Sequence, residues 1–233
     1  MTATSSGREL GARDAGSPVL PLISAPKIMF VGDSWTAQNS YAIAIASGWR
    51  LALDARLTAA GVAHDFVGPF SDGAFPEPLH AGVNGTTLTA INAAIGAWLT
   101  AHTPDVVVLW AGINDSVSSG ATIDSRMATL LATMWAAYPS CRVVATIIPT
   151  AVSDAARVTN LVDATTLFAT TFAASSYAGA GRLRVCDARG CVPTMSAADA
   201  YDSIPHPSTL GYARCADALW PVLLNALGRN AEW

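Results

Sequence analysis

From Lys27 onward, short apolar runs alternate with stretches of helical spacing. Lys27-Ile28-Met29-Phe30-Val31 has the unbroken apolar pattern of a buried strand and stops at Gly32. Trp49 to Ala60 carries Leu51, Ala55 and Ala59 on one helical face and ends at Gly61. Asp65-Phe66-Val67 predicts a second strand, and Thr87 to His102 a helix carrying Ile91, Ile95, Trp98 and Leu99. Asp105 to Trp110 predicts a central strand, apolar on both faces as parallel strands are. Ile123 to Tyr138 predicts a helix, Arg142 to Ile148 a fourth strand closed by Pro149, and Asp154 to Tyr177 a long helix. Leu183 to Cys186 predicts a fifth strand and Leu210 to Leu227 the last helix. The alternation predicts an α/β fold, a five-stranded parallel sheet with helices on both faces. Gly68 to Gly85 and Asp187 to His206 show neither period, and irregular stretches of that length are usually functional.

Residues 1–25 break the pattern. They are rich in Ser, Thr, Gly, Ala and Pro and predict a flexible or surface-laid arm before a single domain over 26–233. The only apolar run there, Val19-Leu20-Pro21-Leu22-Ile23, is too short and Pro-broken for a signal segment of ~7–15 apolar residues. An exported protein whose signal had been removed would begin this way.

Composition narrows the function. Hydrophobic residues are 52% and charged residues 13% of the 233 positions. The charged share lies well below the ~25% usual for soluble proteins, which excludes disorder for the bulk of the chain. No run approaches the ~18 unbroken apolar residues of a membrane span. Thirteen Lys and Arg against seventeen Asp and Glu give a net charge of -4, leaving no cationic surplus for a nucleic-acid partner. Of four cysteines, Cys186 and Cys191 are near enough for a small bridged loop or, with His206, a zinc site. No second ligand pair has zinc spacing, so neither metal nor cofactor is expected. Cys141 and Cys215 read as buried thiols.

In an open parallel sheet, ligands bind beyond the carboxyl ends of the strands. Gly32-Asp33-Ser34-Trp35 follows the first strand and Gly112-Ile113-Asn114-Asp115 the central one. His80-Ala81-Gly82-Val83-Asn84-Gly85 precedes the second major helix, and Asp202-Ser203-Ile204-Pro205-His206-Pro207 the last. Together these are the parts of an acyl-transfer site. Ser34 leaves a buried strand at a glycine turn, which exposes its hydroxyl, and His206 could take its proton as general base. Asp202 could orient the imidazole. The backbone N–H groups of Ser34 and Gly85 and the amide of Asn114 could receive an oxyanion, with glycine allowing close approach. Each piece alone has an ordinary reading as a turn or helix cap. Asp115 reads as an N-cap, and His64, His80 and His102 read as structural, with His80 a candidate to line the pocket. The weight comes from four blocks in order at one rim.

These four blocks resemble those of the SGNH hydrolases, the GDSL esterase/lipase family. The resemblance covers Lys27 to the C-terminus. It implies a three-layer α/β/α flavodoxin-like fold with Ser34, Gly85, Asn114 and His206 in the four named roles. Gly32-Asp33-Ser34, Gly48-Trp49-Arg50, His80-x-Gly82-x-x-Gly85 and Pro104-Asp105-Val106 further resemble acetylxylan-esterase-like carbohydrate esterases. The family usually has Asp three residues before the His; here that position is Ser203, and Asp202 lies four before. Either Pro205 absorbs the extra residue and Asp202 completes a triad, or the site is a Ser–His dyad oriented by a backbone carbonyl. The triad is preferred because imidazolium needs an acidic partner and no other acid is nearer in sequence. Asp33 is expected to brace the turn.

Trp35, Phe75 and Ile204 are expected to wall an acyl or sugar site, and Trp110 to lie in the core. No apolar lid segment is left over, which favours short acyl esters, acetyl groups on polysaccharides among them. An acyltransferase or thioesterase would use the same fold. A catalytically dead carbohydrate-binding module would have lost Ser34, Asn114 or His206, and a nucleotide binder would show Gly-x-Gly-x-x-Gly after the first strand.

Overall fold

The structure, a computed structural model, describes residues 8–9, 20–37, 48–73, 75–147, 155–174, 181–188, 200–201 and 206–229. Its main sheet has eight strands. They are β1 (Arg8–Glu9), β2 (Lys27–Gly32), β3 (Asp65–Val67), β4 (Phe70–Ser71), β5 (Leu79–Gly82), β6 (Val106–Trp110), β7 (Arg142–Ile147) and β8 (Leu183–Asp187). The order is β1-β8-β7-β6-β2-β5-β4, with β3 also beside β2. β1 and β4 pair antiparallel at the two edges, and the other six strands are parallel. The sheet is therefore wider than the five strands expected. The difference lies mainly in the stretch read as irregular, where β4 and β5 form a hairpin. Four residues, Leu79 to Gly82, give no periodic signal of their own. They are a strand because β2 offers them a partner, Val31 opposite Ala81 and Gly32 opposite Gly82.

The helices are α1 (Ser34–Ala37), α2 (Trp49–Ala59), α3 (Leu88–His102), α4 (Gly120–Ala137), α5 (Ala155–Ala174) and α6 (Thr209–Ala226). Thr87, Ser119 and Ser208 start three of them, each hydroxyl accepting the N–H three residues on. α3 packs on α4 and α4 on α5, while α2 packs on α6. The topology requires this division. The chain steps one way from β2 through α2 to β3, then back across β2 to β6, β7 and β8. Right-handed crossovers in opposite directions put their helices on opposite faces.

Ile28 to Val31 and Val106 to Trp110 are buried throughout, the double-sided burial that their apolar runs demand. The sheet reverses direction between β2 and β6, where such folds open a crevice. There, Gly32 is level with Trp110 on one side and Gly82 on the other. The three loops that follow these residues therefore start from one rim.

Within the first 25 residues, Arg8 and Glu9 pair with Asp187 and Cys186 on β8. Leu20 is buried, Ile23 N–H donates to the Leu227 carbonyl (3.0 Å), and Arg142 donates to the carbonyls of Pro21 and Ala226 (2.7 Å each). Cys141, Cys186 and Cys215 are buried, and burial pushes the Cys141 thiol up to about 12. Cys191 lies outside the described residues. Among those described, no helix is long and apolar enough to cross a membrane.

Candidate active site

The site begins where β2 ends. A Cβ on Gly32 would lie 2.0 Å from the Trp110 carbonyl oxygen and 2.3 Å from Thr36 Oγ1, so only glycine lets the chain turn here. Asp33 then builds the start of α1. Its Oδ1 accepts from Trp35 N–H (3.0 Å), and its carbonyl from Thr36 (3.0 Å) and Ala37 (2.9 Å). It braces the turn, as expected. Burial pushes the Asp33 carboxyl up to about 7, against the N–H groups of Trp35, Gly112 and Ile113, which hold it down; the charge of Asp115 adds to the rise.

Ser34, the first residue of α1, is 9% exposed. His206 lies on the two-residue strand β10 (His206–Pro207), which pairs with β9 (Ala200–Tyr201) just before α6. His206 Nε2 is 2.8 Å from Ser34 Oγ across 172 residues of sequence. With the ring proton on Nδ1, the hydroxyl donates to Nε2, the arrangement in which a base takes a serine proton. Asp202 and Ile204 lie outside the described residues.

Gly85 has φ +68°, a left-handed backbone that selects glycine. A Cβ there would meet nothing within 4 Å, so conformation and not crowding is the reason for glycine at this position. Asn114 sits on a single 3-10 turn (Ile113–Asp115) and donates from Nδ2 to the Thr86 carbonyl at 2.9 Å. That bond uses one of its two amide hydrogens and ties the side chain to the Gly85 turn. Asp115 does not cap its own turn. It is fully buried, accepts the N–H of Leu88 at the start of α3 (2.8 Å) and pairs with Arg126 of α4 (2.7 Å). Neighbouring residues of one turn thus hold the segment that follows Gly85, at Thr86 and Leu88.

Trp35 does not wall the site. It is 1% exposed, with Trp110 at 5.8 Å and Tyr212 at 6.5 Å between ring centroids, and Trp49 stacks on Trp110 at 5.3 Å. A ring following a buried strand at a helix start turns inward, because the core gains its full apolar area there. Trp110 is core, as expected. Phe75 is partly buried with the Arg50 guanidinium 5.4 Å from its ring centroid.

Arg50 belongs to the Gly48-Trp49-Arg50 block, for which the sequence assigned no role. It is 1% exposed and donates to four carbonyls, of Thr36 (2.9 Å), Pro78 (3.1 Å), Asp72 (3.2 Å) and Ala37 (3.3 Å). Burial pulls the guanidinium down to about 10, leaving it a cation at neutral pH. A buried carbonyl without a donor costs ~1–3 kcal/mol, so removing Arg50 affects both α1 and the hairpin. Its sequence signals are that block and a cation at the second position of an otherwise apolar helix start.

His80 is fully buried behind this cluster and does not line the site. Its Nε2 is 3.0 Å from Asp72 Oδ2, and its Nδ1 accepts from Gly82 N–H at 3.0 Å. Protonating Nδ1 would set two N–H groups against each other. Burial, then the charge of Arg50, push the imidazole down to about 4 from 6.5, with Asp72 opposing. The unfolded chain therefore takes up this proton at higher pH than the folded one. The contribution to stability is complete above pH 6.5 and is lost as pH falls toward 4, at ~1.4 kcal/mol per unit. Urea midpoints measured across that window should fall in the wild type and fall less in His80→Gln; equal slopes would refute the assignment. His64 bridges Val62 O and Asp54 Oδ1 (2.8 Å each) away from the rim, a structural role. Among the described residues, no three His, Cys, Asp or Glu side chains gather as a metal site.

A serine–histidine pair at the reversal point of a doubly wound sheet is an arrangement suited to acyl transfer. The chain belongs to the GDSL-like lipase/acylhydrolase family, whose profile matches residues 30–214. Its fold is similar to that of an acetyl esterase mutant with acetate ion, at 24% identity and TM-score 0.71 over 87% of this chain and 98% of that one. It is similar to a carbohydrate esterase family 3 protein from Talaromyces cellulolyticus (25% identity, TM-score 0.70, 87% and 98% covered). A family 3 carbohydrate esterase from Clostridium thermocellum is equally alike (25%, TM-score 0.69, 87% and 97%). No curated protein matches the sequence.

Proposed function

We propose that the chain is a serine esterase for short acyl esters, with acetyl groups on polysaccharides as the substrate class. The observation that carries this is the 2.8 Å contact between Ser34 Oγ and His206 Nε2 at the sheet's rim. Ser34 Oγ attacks the ester carbonyl as His206 takes its proton, and the carbonyl oxygen becomes an oxyanion. The N–H groups of Ser34 and Gly85 and the second Asn114 amide hydrogen stabilise that charge. Collapse breaks the C–O bond to the alcohol, which leaves with the proton from His206. Water, deprotonated by the same imidazole, then cleaves the acyl-enzyme and frees the acid. Asp202 orients the imidazole and balances its charge when protonated.

The acetyl preference is supported by likeness to an acetyl esterase, and the carbohydrate ester by likeness to family 3 carbohydrate esterases, each over 87% of the chain. It predicts that kcat/KM on p-nitrophenyl esters is highest for acetate and falls at least tenfold by octanoate, and that acetylated xylan releases acetate. A maximum at octanoate, or faster turnover of acyl thioesters than of esters, would overturn it.

A further inference from the structure

The helix that carries Ser34 has four residues, too few to hold itself in water, where even twelve-residue helices are marginal. Its order comes from outside. At its N-terminal end, Asp33 accepts three N–H groups. At its other end, three successive carbonyls accept from two successive residues of α2. Trp49 Nε1–H donates to Trp35 O at 2.8 Å, Arg50 Nε–H to Thr36 O at 2.9 Å, and Arg50 Nη2–H to Ala37 O at 3.3 Å. Both side chains are essentially buried, at 0% and 1% exposure. The remaining Arg50 donors reach Pro78 and Asp72 on the β4–β5 hairpin, whose second strand leads to Gly85.

We infer that Trp49 and Arg50 are positioning residues for Ser34, clamping the C-terminal end of α1 so that the hydroxyl stays within proton-transfer distance of His206. The inference rests on Ser34 being the nucleophile. The chemistry favours these residue types. Arginine presents a rigid fork of five N–H donors, enough to span two helix carbonyls and two hairpin carbonyls at once, whereas lysine offers three donors from one point. A cation at a helix C-terminus also complements its carbonyl dipoles. With the clamp loosened, α1 keeps its Asp33 bonds, the Thr36 Oγ1 bond to the Trp110 carbonyl (3.4 Å) and the packing of Trp35, but its C-terminal carbonyls lose their donors and that end can shift. Displacement of a reacting group by about 1 Å costs roughly 10²-fold in rate without touching substrate affinity.

The test compares Trp49→Phe, Arg50→Lys and Leu53→Ala with the wild type and Ser34→Ala, at a temperature where each variant is shown to be folded. Leu53 is a fully buried residue of the same helix with no bond to α1, so its alanine variant reports destabilisation alone. Two quantities are read: kcat and KM on p-nitrophenyl acetate, and the rate at which a p-nitrophenyl phosphonate labels Ser34. Trp49→Phe should lose about tenfold in kcat and Arg50→Lys about a hundredfold, with KM within twofold and phosphonylation slowed in parallel. Leu53→Ala should stay within twofold of wild type. The clamp is refuted if Trp49→Phe behaves as Leu53→Ala does, or if its loss is carried by KM. Should Arg50→Lys not fold, Trp49→Phe decides. If Ser34→Ala is inactive while Trp49→Phe is unimpaired, only the clamp fails; if Ser34→Ala turns over normally, the nucleophile assignment fails first.

Discussion

Ser34→Ala should lower kcat for p-nitrophenyl acetate by roughly 10⁴-fold or more and leave the fold intact. Ser34 Oγ is the atom that faces His206 Nε2, and the covalent step has no other route at that point. Alanine is tolerated because Ser34 is the first residue of α1. The bonds that hold the helix come from the Asp33 carboxylate and carbonyl and from the side chains of Trp49 and Arg50, not from the serine hydroxyl. Thermal unfolding should therefore shift little, and KM should change less than kcat. A variant retaining a tenth of the wild-type rate would remove Ser34 from the mechanism.

The second large effect is at His206. His206→Ala should cost roughly 10³–10⁴-fold or more in kcat, since an unassisted serine hydroxyl is a poor nucleophile. It should also change the form of the pH dependence. The wild-type rate should decline on the acid side, where a protonated imidazole cannot accept the serine proton, while the residual rate of the variant should simply follow hydroxide. An unchanged acid limb in His206→Ala would assign the base elsewhere. Asp202→Ala measured alongside separates triad from dyad: a loss beyond about tenfold supports the carboxylate as partner, and a smaller loss supports a backbone carbonyl.

Much of the scaffold is legible in the sequence. Ile28 to Val31 and Val106 to Trp110 are continuous apolar runs, and burial on both faces is the only stable use for them. The four blocks were legible for a related reason. Each follows a strand or opens a helix, and turn chemistry is local: Gly85 takes a left-handed φ, and Asp33 accepts the N–H of Trp35 two residues on. What stayed hidden were the supporting contacts made across the fold. Arg50 stood in the Gly48-Trp49-Arg50 block with no role to read, because its acceptors lie 13 to 28 residues away. Asp115 looked like a local cap and instead caps a helix 27 residues earlier. Trp35, next to the nucleophile, looked like a pocket wall and is core.

By itself, then, the sequence determined the alternation of strands and helices and the residue types at the rim, because periodicity and turn preferences act over a few neighbouring positions. Tertiary structure alone decided the pairing of Leu79–Gly82 with β2 and the carbonyls that Trp49 and Arg50 satisfy. Those outcomes depend on where remote backbone groups are buried and need a donor. Hydrophobic period says which face turns inward, but not which group waits there.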